Sequence, residues 1–244
     1  MSRFGPLLLV LSSLLTWSVQ AQDSAQESPE KDPFESANRL VFEFNDGFDT
    51  YLLRPVAQGY HFIMPDFAER GVGNFFANLY DANAALNAVL QGRIANAAEG
   101  GGRFLVNSTF GVFGLFDVAS RMGLQPYRTD FGHTLAIWGM PSGPYVMLPV
   151  LGPRTARSGA GTIVDTYGSA QSYIEDVPLR NSLYGLELID GRARLLQTDE
   201  LLSGDRYIFV RDAYLQQREV LVNDGKVDDS FSDYGDDGGW EEDF

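Results

Sequence analysis

The stretch FGHTLAIWGMPSGPYVMLPVLGP, residues 131–153, restricts the possible folds more than any other part of the chain. It holds no Asp, Glu, Lys or Arg, yet carries Pro141, Pro144, Pro149 and Pro153 together with Gly132, Gly139, Gly143 and Gly152. As a helix rising ~1.5 Å per residue it would cross a bilayer core. Proline removes a helical N–H and clashes with the preceding turn, and each glycine costs about 1 kcal/mol relative to alanine, so no continuous helix fits. Irregular backbone at membrane depth survives only where protein buries it or where it lines a watery cavity. The stretch is therefore either a buried loop in a soluble core or a loop beside a cavity in a membrane-embedded protein. A second uncharged segment, FLVNSTFGVFGLF, covers residues 104–116. Neither is suited to a transmembrane helix of ~20 apolar residues, whereas amphipathic helices lying in one leaflet are compatible with the pattern.

The formal net charge of −15 sits mainly at the ends. Residues 1–21 read as a signal peptide, with Arg3, an apolar run over residues 6–15 and a small-residue cleavage site at Val19-Gln20-Ala21. Residues 22–32 form an acidic linker, and residues 223–244 an acidic tail whose acids are opposed by Lys226 alone. Both have the composition of disordered chain. No clustered basic surface is available for nucleic acid. Every base between residues 34 and 222 is arginine. Arginine is suited to bidentate phosphate contact, although a compositional bias toward Arg codons explains the same fact more simply. The absence of cysteine excludes disulfides, thiol nucleophiles and thiolate metal sites in these residues. His61 and His133 are too far apart in sequence to suggest a metal cluster.

The region 33–222 reads as one mostly α domain. Asp32, Pro33 and Glu35 have the pattern of a capping box. Phe34, Ala37, Val41, Phe44, Phe48 and Tyr51 follow at helical spacing, which predicts an amphipathic helix ending before Pro55. Further helices are predicted from Asp66 through Leu79, over residues 81–91, over 94–110 with a break at Gly100-Gly101-Gly102, over 181–202, and over 205–222 with a C-cap at Asn223-Asp224-Gly225. Tyr145–Leu148 is the best strand candidate. No nucleophile elbow, zinc-protease motif, P-loop or dinucleotide fingerprint is present. Asp130, His133 and a serine can be drawn as a triad, but a histidine hydrogen-bonded at a helix start accounts for His133 as well. Asp165, Glu175 and Asp176 are explained by caps and exposed faces.

In their order and spacing several blocks resemble the MlaA/VacJ family. They are Asp32-Pro33-Phe34-Glu35, Asn38-Arg39, Phe42, Phe44-Asn45, Asp49 and Arg54-Pro55; Asn74-Phe75 and Asn78-Leu79; Arg103-Phe104 through Asn107-Ser108-Thr109 and on to Asp117; then Asp130-Phe131-Gly132-His133 and Gly143-Pro144-Tyr145. The resemblance implies a ring-like bundle of amphipathic helices with an irregular Gly/Pro-rich loop and a central polar channel. It implies a seat in the inner leaflet of the outer membrane and partnership with a trimeric outer-membrane porin. Phospholipid would pass from the outer leaflet to a periplasmic lipid-binding shuttle, with no cofactor and no bond chemistry. Residue by residue, it implies a motif helix bearing Asn38, Arg39, Phe42, Phe44 and Asn45. It implies a mobile channel loop with Gly132, Gly139 and Gly143 as flexible points and Tyr145 near the mouth. Phe104, Phe110, Phe113 and Phe116 would face lipid. Family members carry a lipidated cysteine after the cleavage site; here Gln22 follows Ala21, so attachment is expected to rest on apolar surface and partner. The alternative is a soluble periplasmic interaction or assembly factor without lipid transport.

Overall fold

The computed structural model describes residues 32–197 and 204–225. The expected signal peptide, nearly all of the expected acidic linker, residues 198–203 and the expected acidic tail beyond residue 225 lie outside them.

Pro55 does not stop the first helix. Helix α1 (Glu35–Phe48) passes through a wide π turn (Asp49–Leu53) into α2 (Arg54–Ile63). The Arg54 N–H bonds to the Asp49 carbonyl five residues back, opening the turn where the Pro55 ring would meet the carbonyl four residues before it. Nor does Asp32 cap α1, which starts after Phe34 with no side-chain cap. The Asp32 carboxylate is buried instead, accepting from Asn38 Nδ2–H at 2.7 Å and from the Tyr207 hydroxyl.

The segments expected over residues 66–79 and 81–91 are one helix, α3 (Asp66–Leu90). It ends at Gly92, whose φ of +73° lets the Arg93 N–H reach back to the Ala88 carbonyl. Helix α4 (Ile94–Thr109) runs unbroken through the three glycines. A Cβ on Gly100 would lie 3.4 Å from the Ala85 Cβ and 3.5 Å from the Asp81 carbonyl. That glycine therefore brings α4 close to α3; it is not a hinge.

A short helix α5 (Val118–Arg121) leads to α6 (Phe131–Ile137), capped by the Asp130 carboxylate. Strands β1 (Tyr145–Leu148) and β2 (Gly152–Thr155) then pair antiparallel, Tyr145 opposite Thr155 and Leu148 opposite Gly152. The stretch 131–153 is thus a helix, a connector and a hairpin, not one irregular loop. Helix α7 (Ala156–Gly168) starts in a capping box of Thr155 and Ser158. A 3-10 turn (Ala170–Tyr173) precedes α8 (Val177–Arg194), which is capped by Asp176 and begins four residues earlier than the spacing predicts. Helix α9 (Arg206–Val222) is capped by Asp205 and closes as expected, with Gly225 at φ +80°.

Packing follows a closed circuit. Helix α1 lies on β1, β2 touches α7 and α9, and α9 reaches α6. Helix α6 pairs with α7 and touches α3; α3 pairs with α4 and touches α8; α8 packs on α2, which continues α1. This is a mostly helical, ring-like bundle. Its compact apolar core is small: Tyr145, Met147 and Tyr207, flanked by Val41, Phe42 and Tyr214.

Candidate functional site

The distribution of polarity is the reverse of a water-soluble helical bundle. The largest fully buried side chains are Tyr145, Tyr207, His133, Asn78, Thr129, Thr134 and Thr155. Apart from Phe76 and Met147, the buried aliphatic and Phe positions are alanines. Phe62, Ile63, Phe67, Phe110 and Phe113 are all more than 70% exposed. Soluble monomers rarely expose apolar surface on this scale, and they bury large apolar residues before asparagine or threonine. No helix among the described residues is long and apolar enough to cross a membrane.

The buried polar groups are held in continuous seams. On the inner face of α3 and its C-cap, Asn83, Asn87 and Gln91 recur every four residues and meet α6 and α7. Gln91 Nε2–H donates to the Thr129 and Thr134 hydroxyls at 2.7 and 3.0 Å. Thr134 donates to Asn87 Oδ1, and Asn87 Nδ2–H donates to Asp165. The second Asp165 oxygen accepts the Phe131 N–H, tying α7 to the start of α6. Burial pushes the Asp165 carboxyl above its ordinary range despite these donors. His133 sits in this seam, its Nδ1 2.9 Å from the Thr129 hydroxyl and its backbone N–H donating to Asp130. Burial, helped by the positive charge of Arg93, holds the imidazole below its usual pKa and so favours the neutral ring. Its role here is the hydrogen-bonded helix-start histidine.

The motif helix uses its polar side inward. Asn38 Nδ2–H donates to the Tyr145 carbonyl at 3.1 Å while its Oδ1 accepts the Met147 N–H at 2.8 Å. Two turns later Asn45 repeats the device on the Leu148 carbonyl and Val150 N–H. Each amide stands where a neighbouring strand's peptide group would be, so α1 completes the free edge of β1. Arg39 pairs with Glu35 and Asp205 and lies 4.5 Å from the Tyr207 ring centre. Phe42 packs edge-on against Tyr207. Phe44, like Phe34 and Tyr51 on the apolar stripe, is exposed.

The loop over residues 110–117 presents Phe110, Val112, Phe113 and Phe116 outward. Val112 and Phe113 adopt φ of 52° and 57°, a costly conformation for branched and bulky side chains. A polar base holds them there. Arg103 pairs with Asp81 at 2.9 Å and donates to Ser120 and the Leu124 carbonyl. Asn107 bridges Asp117 and the Ala119 N–H. Gly111 and Gly114 leave no room for a Cβ against the Asn107 backbone and the Asn78 side chain. Phe104, in α4, is half-buried and separate from the exposed trio.

The expected channel-loop residues are dispersed. Gly132 is buried in α6, where a Cβ would lie 2.9 Å from the Ser158 Cα. It fixes a close helix crossing, so it is no flexible point. Gly139 (φ +89°) and Gly143 (φ +69°) do occupy left-handed turns in the connector. Tyr145 is fully buried between Tyr207 and Tyr214, not at a mouth. Alternation within a strand does not reveal which face meets the core.

One cavity was not anticipated. Of about 440 Å³, it lies among α3, β2, α7 and α9 and is lined by Tyr80, Arg128, Asp130, Arg154, Thr162 and Arg218, among others. Arg218 clamps Asp130 through both Nη groups. Burial alone would raise the Asp130 carboxyl, but Arg218 and the His133 N–H hold it below its ordinary range. The all-arginine usage allowed for phosphate contact but marked no position, so nothing in the sequence located this cavity.

The chain matches the family described as MlaA lipoprotein over residues 30–221. It is 35% identical over 213 residues to the intermembrane phospholipid transport system lipoprotein MlaA of Escherichia coli, covering 85% of this chain and 84% of that protein. With the protein of the same name from Haemophilus influenzae it shares 32% identity over 240 residues, 95% of each chain. An uncharacterized Rickettsia typhi protein is 36% identical over 195 residues, 78% of each. A solved structure described as "Structural basis for maintenance of bacterial outer membrane lipid asymmetry" superposes with a TM-score of 0.69 at 38% identity, covering 79% of this chain and 99% of that one.

Proposed function

We propose, from the premise that this chain belongs to the MlaA lipoprotein family, that it is the outer-membrane component of an intermembrane phospholipid transport system that maintains lipid asymmetry. The observation that carries the reading is the reversed polarity: large apolar side chains outside, hydrogen-bonded polar seams inside. An apolar exterior with no spanning helix among the described residues suits a ring seated in one leaflet. A polar interior suits passage of headgroups that lipid tails alone would exclude. The ring accepts phospholipid mislocalised to the outer leaflet and hands it to a periplasmic lipid-binding shuttle, and a trimeric porin braces it in the membrane. The domain carrying this role is 33–222. The role is carriage without bond chemistry; His133 and Asp130 serve hydrogen bonding and an ion pair. Phe110, Phe113 and Phe116, all exposed, anchor the ring by burial in acyl chains. A signal peptide at residues 1–21 delivers the chain to the periplasm.

Fractionation of cells producing the full chain tests this. The expected result is recovery in the detergent extract of the outer membrane, with co-purifying phospholipid and a trimeric porin. Recovery in the osmotic-shock fraction with neither would favour a periplasmic assembly factor and overturn the proposal.

A further inference from the structure

We infer that the cavity among α3, β2, α7 and α9 is a subsite for a phosphate-class anion, held by Arg128 and Arg154 beside an Arg218 already committed to Asp130. Three guanidiniums line this cavity against one carboxylate, in a chain whose net charge is −15. Asp130 is spent within the protein, clamped by Arg218 and capping α6. Arg154 donates from Nε to the Thr162 hydroxyl at 3.2 Å and from Nη1 to the Pro153 carbonyl at 2.7 Å. Neither acceptor is charged, so the guanidinium is aimed without being neutralised. Arg128 is exposed and makes no ion pair among the described residues. Arg157, outside the lining, is a further cation nearby: burial, and after it the charge of Arg218, disfavours its charged form. Positive charge gathered in a walled recess without matching carboxylates is a site for an anion, and guanidinium favours the planar, paired contact that phosphate offers.

A phosphodiester headgroup and free phosphate share this chemistry. The inference rests on the transport reading for its choice of the headgroup. The test uses the full chain in uncharged detergent and three probes: dihexanoyl phosphatidylglycerol, uncharged dihexanoylglycerol and inorganic phosphate. Wild type is expected to bind the phospholipid at least about tenfold more tightly than the diacylglycerol. Arg128→Gln/Arg154→Gln should remove that preference while leaving diacylglycerol binding and the melting temperature unchanged. Arg128→Gln alone, at an exposed position, should remove part of it should the double variant melt early. Phosphate failing to displace the phospholipid at about 10 mM identifies the headgroup as the ligand. Displacement below about 1 mM, lost in the double variant, overturns the lipid source and keeps the anion subsite. Equal wild-type binding of both lipids, or variants that bind as wild type does, overturns the subsite while leaving transport intact. Wild type taking none of the probes overturns both.

Discussion

Replacing Asn38 by leucine should unfasten the hairpin from the helix that carries it. Leucine keeps the branched outline and the number of side-chain heavy atoms but is bulkier, so the substitution removes the hydrogen bonds at some packing cost. It strips the Tyr145 carbonyl and the Met147 N–H of their partners, and both residues are buried. A buried backbone group left unsatisfied costs about 1–3 kcal/mol, so the two together cost about 2–6 kcal/mol. Should the loss be felt locally, Met147 amide exchange would speed up by roughly 30-fold to 10⁴-fold, at about 1.4 kcal/mol per tenfold. Deuterium uptake by the peptide spanning residues 140–153, measured in detergent, reads this directly. Asn45→Leu serves as the graded comparison. Its partners lie nearer solvent, where water can replace the amide, so a loss of about 1–3 kcal/mol is expected. Asn38→Asp keeps an acceptor for Met147 but sets a second carboxylate against Asp32; like charges in contact disfavour double ionisation, so protection should recover as the pH is lowered. Exchange at Met147 within threefold of wild type, with an unchanged melting temperature, would refute the account of Asn38 as the surrogate strand edge.

Phe110→Ser/Phe113→Ser should weaken sedimentation with phospholipid vesicles by roughly a hundredfold or more, because each buried aromatic contributes about 1.5–3 kcal/mol; the melting temperature should hold, since both rings are exposed in the fold. Gly132→Ala should destabilise the ring by about 1–3 kcal/mol through overpacking against Ser158, lowering its melting temperature by roughly 2–12 °C, whereas Gly139→Ala, with open space around it, should cost only local strain. The depressed carboxyl of Asp130 contributes stability that is present above the unfolded value of about 3.9 and lost as pH falls through the lower folded value. Wild type should therefore lose melting temperature below about pH 4 more steeply than Asp130→Asn, which retains a capping side chain but not the Arg218 pair.

The helices were legible because periodicity states which residues share a face. It does not state what solvent that face meets. Phe34, Phe44 and Tyr51 form the stripe that the spacing predicts, yet they point outward. Asn38 and Asn45, which lie off that stripe, are the ones that dock the hairpin. Capping chemistry was local and therefore readable at Asp176, Asp205 and Gly225. Glycine and proline were ambiguous because their permissiveness serves opposite ends: Gly100 and Gly132 allow close approach, Gly139 allows a turn, and Pro55 is absorbed by a widened turn. The arginine cavity joins residues from four separated segments, and no spacing rule could assemble it.

The reversed polarity also bears on how such a chain is made. In most domains, closing the fold removes greasy surface from water, and that release drives closure. Here closure leaves Phe62, Phe67, Phe110 and Phe113 uncovered, so on the proposed seat in a leaflet the burial of those rings waits for insertion. The finished ring is consequently a poor passenger in an aqueous compartment, prone to stick to its own copies. Its biogenesis must either postpone closure until lipid is at hand or shield the rim during transit.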